Sequence, residues 1–165
     1  MALNDNRYNA LEVALVNALK ADTTLFKEDG TGLVKLIHEK IRIDAVYNDS
    51  ENPVIALEVI GIPDETTLNN KRFTEQVSVM IEVLVGDSDR QSNNDKLKEI
   101  IAYLRQWVRE NMQNYGYGNP FLGSNLYKPV GNGPAEFSIL NDGDFYFCDK
   151  CSTVLKLEID NTYTS

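Results

Sequence analysis

Residues 72–86 read RFTEQVSVMIEVLVG, and the alternation within them decides the fold. Odd positions carry Phe73, Val77, Val79, Ile81, Val83 and Val85, with Glu75 interrupting the series. Even positions carry Thr74, Gln76, Ser78, Met80, Glu82 and Leu84. Successive side chains of a β-strand point to opposite faces, so this spacing gives one long strand an apolar face and a mixed face. β-Branched residues suit such a pleated surface. The apolar face needs a cover, and the next stretch supplies it. In KLKEIIAYLRQWVREN, Leu97, Ile100, Ile101, Leu104, Trp107 and Val108 recur at helical spacing, which predicts an amphipathic helix lying on the strand.

Upstream, Tyr8, Leu11, Leu15, Ala18 and Leu19 fall three and four apart, giving a helix capped by Asn4 or Asp5 and ending near Ala21. KEDGTG at 27–32 reads as a turn. In LVKLIHEKIRI, residues 33–43, Leu33, Leu36, Ile37, Lys40 and Ile41 form a helical stripe, while Ile41 and Ile43 begin an alternating one. The reading is a short helix running into an extended segment. Residues 48–53, NDSENP, break the chain, and PVIALEVIG at 53–61 reads as a strand opened by proline, where no interior ladder bond is lost. Residues 61–71 read as a polar connection into the long strand, with the two strands antiparallel.

Downstream of the helix, NYGYGNPFLGSNLYKPVGNGP at 114–134 holds five of the 10 glycines and three of the 5 prolines. It reads as a long loop, a kind of segment that in compact domains tends to serve function. Residues 135–140 then form a strand, 141–143 (NDG) a hairpin turn, and 144–159 a final half-buried strand, with the tail NTYTS frayed. The expected architecture is α+β: a four-stranded, mainly antiparallel sheet with one long helix and an N-terminal helix packed on one face.

At 165 residues the chain reads as one domain. A net charge of -9 argues against a stable grip on nucleic-acid phosphates, since binders present a basic patch and these lysines and arginines are scattered. No apolar run is long enough for a membrane span, and MALNDNRYNA lacks the pattern of a signal peptide. The expected site of synthesis is the cytoplasm, and 2 cysteines make no disulfide framework.

Catalytic motifs are weak. Cys148-Asp149-Lys150-Cys151 is a C-x-x-C, but zinc needs four ligands and His38, the single histidine, is far away in sequence. A redox pair would sit at a helix N-terminus, whereas this one lies in a strand, so two structural thiols fit better. Ser78 and Ser88 lack a G-x-S-x-G elbow. Glu58, Glu75, Glu82, Asp87 and Asp89 could gather Mg²⁺ as in metal-dependent nucleases, yet no lysine accompanies Glu58, and solvated strand charges explain the pattern as well. YGYGNPFLG and VGNGP lack the ending of a phosphate loop. Tyr115, Tyr117, Phe121, Leu122 and Tyr127 suit either contact with another protein or a cover for the domain's own sheet. Together with Met80 and Glu82 on the even face of the long strand they are the candidate partner contacts. Catalytic, cofactor and metal residues are not expected.

An N-terminal helix, a proline-led strand at 53–59, a long alternating strand at 76–85, a GDSD turn, one amphipathic helix at 95–112 and two closing strands follow in that order. Over residues 5–160 this order is similar to that of the tail terminator, or tail-completion, proteins of long-tailed bacteriophages, although the 114–134 segment is longer than that family suggests. The resemblance implies a non-enzymatic virion protein at the tail and neck. It implies a homo-oligomer, a hexameric ring that caps the tail tube, stops its polymerisation and meets the neck connector. It also implies DNA passing through the lumen without specific binding, for which an acidic wall is suitable. Alternatives are another neck component, such as a head-closure or connector-adaptor protein, and a small Mg²⁺-dependent nucleic-acid enzyme using Glu58, Glu82 and Asp87.

Overall fold

The computed structural model describes residues 7–40, 52–69, 72–87, 90–113, 127–141 and 147–162. The elements are α1 (Arg7–Lys20), β1 (Leu36–Glu39), β2 (Val54–Asn69), β3 (Arg72–Asp87), α2 (Arg90–Gln113), β4 (Tyr127–Asn141) and β5 (Phe147–Thr162). The protein is α+β, and its strands form one sheet of order β1-β2-β3-β5-β4. β1 joins β2 in parallel, Leu36 opposite Val54, and every other pairing is antiparallel.

The long alternating strand is the middle of the sheet. Val77, Val79, Ile81, Val83 and Val85 are all buried, as the odd series requires. They share a single core with Leu11, Leu15 and Leu19 of α1, Leu97, Ile100 and Leu104 of α2, and Leu155 and Leu157 of β5. α1 packs on β1 and β2, whereas α2 packs on β3, β5 and β4. Both helices therefore lie on one face. Glu75 keeps its place in the buried series because the Tyr8 hydroxyl of α1 lies 3.0 and 2.9 Å from its two carboxylate oxygens.

Four sequence expectations need correction. The sheet has five strands and not four, because the expected short helix within 33–41 is instead the parallel edge strand β1. Its register is set by pairing to Val54–Leu57, which no local periodicity encodes. Residues 61–69, read as a connection, continue β2 through register shifts at Gly61 and beyond, and they pair with β3 as far as Asn69↔Arg72. Residues 127–134, read as loop, are the first half of β4, which absorbs its glycines and prolines in shifts between Pro129 and Gly131 and between Asn132 and Ala135. Bulges of this kind are where an edge strand tolerates such residues. β5 also runs on to Thr162, opposite Arg72, so residues 161 and 162 are not a frayed tail. The turn at 27–32 holds, closed by Gly30 N–H to Lys27 O at 3.0 Å with Gly30 at φ 79°.

Candidate interaction surface

The surface that matters is the rim of the sheet, and its two edges are built differently. β1 has only 4 residues. Lys40 follows it at φ 68°, a left-handed conformation that stops the strand while its N–H still reaches Leu57 O at 2.8 Å. From there the Lys40 ammonium turns back onto α1, meeting Asn9 Oδ1 at 2.8 Å and pairing with the Glu12 carboxylate. The other Glu12 oxygen accepts the Val59 N–H at 2.8 Å, where the β2 ladder first slips. Glu12 is 1% exposed, so a buried carboxylate joins helix, edge strand and bulge. A buried charge persists only when it is paired and hydrogen-bonded, and Glu12 is both.

β4 is the opposite edge, 15 residues long. Over residues 135–141 its ladder to β5 is unbroken, from Ala135↔Thr153 to Asn141↔Phe147. An edge strand turns half of its backbone donors and acceptors away from the sheet, which is a template for another strand. Phe137 stands opposite Cys151 on the helix-bearing face, yet Phe137 is 50% exposed and Cys151 is 0% exposed. α2 packs on β4 as well as β5, yet leaves the Phe137 side chain half exposed. One tie holds β4 from above: Arg105 donates from Nη2 to Gly133 O at 2.8 Å. Gly133 is required there, because a Cβ would stand 2.9 Å from Val154 Cβ.

The sequence-predicted contact residues are scattered over this frame. Tyr115, Tyr117, Phe121 and Leu122 lie outside the described residues. Tyr127 opens β4 on the edge. Met80 is half-buried in the middle of the sheet, on the face away from the helices. Glu82 shares that face but is 5% exposed and lies 3.2 Å from the Lys150 ammonium. Neither residue is near Phe137, which sequence reasoning placed only inside an ordinary closing strand.

Of the acidic residues weighed for metal binding, Asp89 lies outside the described residues, and Glu58, Glu75 and Glu82 do not share one face. Glu75 belongs to the helix-bearing face, whereas Glu82 and Glu58, opposite Ala56 and Met80, belong to the other. Among the described residues no three His, Cys, Asp or Glu side chains gather. Burial pushes the Cys151 thiol above its ordinary range, with Arg105 pulling weakly the other way, so this thiol is protonated and inert at neutral pH. Burial and the Asp22 carboxylate, 2.8 Å from its hydroxyl, likewise raise Tyr103. Exposed Asp29 is lowered by the Thr31 hydroxyl and amide that cap it. No helix among the described residues is long and apolar enough to cross a membrane.

These features define a class: an α+β domain whose β4 edge has no further strand beside it among the described residues and carries a half-exposed phenylalanine. Comparison with known protein families gives no match, and comparison with curated proteins gives none.

Proposed function

We propose that the chain is a structural virion protein of the tail-terminator type, which assembles into a hexameric ring, caps the tail tube and joins it to the neck. The observation that carries this reading is the β4 edge: regular over 135–141, with no further strand beside it among the described residues, and bearing half-exposed Phe137. A heterologous contact made through such an edge closes into a ring when its rotation divides a full turn. The work of the protein is then interfacial, with no reaction catalysed. The net charge of -9 suits a channel wall along which DNA slides.

Light scattering on the purified chain, alone and with assembled tail tubes, tests this directly. Six chain masses per particle, or saturable attachment at tube ends, supports the reading. A strict monomer under both conditions removes it.

A further inference from the structure

The strand pairings set residues of all the strands in common rows. Glu136 of β4 lies opposite Ser152, Ser152 opposite Glu82, Glu82 opposite Ala56, and Ala56 opposite His38 of β1. Neighbouring rows run in the same way from Phe137 to Ile37 and from Ser138 to Leu36. β1 is parallel to β2, and three antiparallel pairings separate β2 from β4, so β4 runs opposite to β1. A second copy related by rotation about an axis along the strands therefore presents its β1 antiparallel to β4, with the helices of both copies on the same side. A closed ring has no rise, so residues of one row meet across such a joint.

The two sides of the sheet are complementary in charge and in apolar exposure. Residues 135–141, AEFSILN, carry Glu136 and no basic residue. Residues 35–40, KLIHEK, carry Lys35, His38 and Lys40 against Glu39, in a chain of net charge -9. Glu136 is exposed and His38 half-buried, and their row lies on the face away from the helices. A contact between two β4 segments over 135–141 would offer Glu136 no positive partner. The exposed large apolar side chains divide in the same way. Phe137 stands on the β4 side, whereas Val13, Ile60 and Ile62 stand on the β1 side. Val13 follows one turn after Asn9, which meets the Lys40 ammonium at the end of β1. Ile60 and Ile62 lie on β2 past Leu57, the last residue of β2 that β1 covers.

We infer that the β4 edge docks antiparallel on the β1 side of a second copy, with Glu136 beside His38 and Phe137 on the side of the α1 that carries Val13. This rests on the reading of β4 as the association edge, and it adds the surface that receives that edge. β1 has only 4 residues, so its ladder makes a weak joint by itself. Directly opposed unlike charges and a covered phenylalanine supply the rest and fix the register.

The test uses the full chain with Cys148→Ser as background. Glu136→Cys and His38→Cys are made as separate proteins, mixed in equal amounts and oxidised with diamide. Opposite Cα atoms of an antiparallel pair stand about 4.5–5.5 Å apart, within reach of a disulfide. A disulfide-linked two-chain product is expected in the mixture and should be lost when either protein is oxidised by itself. Ser138→Cys mixed with Leu36→Cys, two rows along on the same face, gives a second pair should either of the first variants fold poorly. Cross-linking of Glu136→Cys to itself overturns the inference in favour of a two-fold β4 joint. Multi-chain particles by light scattering with no mixed cross-link at either pair also overturn it, and leave the ring reading standing. A strict monomer, alone and with tail tubes, removes both.

Discussion

The two edges of the sheet face the same hazard and meet it in opposite ways. β1 is short, stopped by a left-handed lysine and fastened to α1 through Glu12. β4 is nearly four times as long, kinked in its first half, regular in its second, and tied from above by Arg105. Short strands and bulges are ordinary ways of blunting an edge against unwanted pairing. One edge is fastened down, and the other has no further strand beside it among the described residues where Phe137 stands. On the proposed function, association runs through β4 while the Glu12 network holds the other side of the domain, so the two should be separable by mutation.

The largest expected effect is at the closed edge. Glu12→Ala should cost about 2–3 kcal/mol, because the part-buried Val59 N–H loses its acceptor and α1 loses its ion pair with Lys40. Chemical denaturation measures this. A loss no larger than that of Arg105→Ala would erase the distinction between the edges. Arg105→Ala, at the open edge, should cost about 1–1.5 kcal/mol by releasing the Gly133 carbonyl, and should loosen β4 in hydrogen exchange before the rest of the sheet.

The dry face beside β4 gives a pH test. Burial raises Cys151 above its ordinary 9.0, so the folded chain keeps a proton that the unfolded chain has lost. Stability is then full below about pH 9 and falls as pH rises through the folded value, by at most about 1.4 kcal/mol per pH unit for one group. Tyr103, raised from 10.0, adds to the decline at higher pH. Cys151→Ala should flatten the first part of that slope, and an unchanged slope would mean the thiol is wet. The smallest effect on folding is expected from Phe137→Ser, under about 0.5 kcal/mol for a half-exposed side chain. The same variant should abolish self-association measured by light scattering. Intact particles carrying it would move the interface elsewhere.

What could be read from the sequence follows the physics of each element. β3 and α2 carry strong periodicities because each has a fully covered face, and the covering pair was legible at once. α2 begins seven residues before Leu97, the first residue of its apolar stripe, since residues 90–96 are polar. β1 was illegible because a parallel edge strand of 4 residues owes its existence to β2, and its Leu33–Leu36–Ile37 spacing imitates a helix. The far half of β2, GIPDETTLN, hid for a different reason. A strand of 16 residues spans about 50 Å while α2, with 24, spans about 36 Å, so the sheet outruns its cover and loses the alternation that burial imposes. Ile60 and Ile62 are exposed there. Glu12 gave no sign of its role, because Lys40 and Val59 reach it from 28 and 47 positions away.

The strand order carries one more consequence. Among the described residues β4 has β5 as its one sheet neighbour, and β5 is made after it. On the ribosome, β4 therefore emerges with nothing to zip against, while β1, β2 and β3 can already pair. The arrival of β5 seats β4 and creates the rim on which Phe137 is displayed. The rim over 135–141 is therefore not assembled until translation has passed residue 153, the partner of Ala135, which on the proposed function delays association between copies on neighbouring ribosomes.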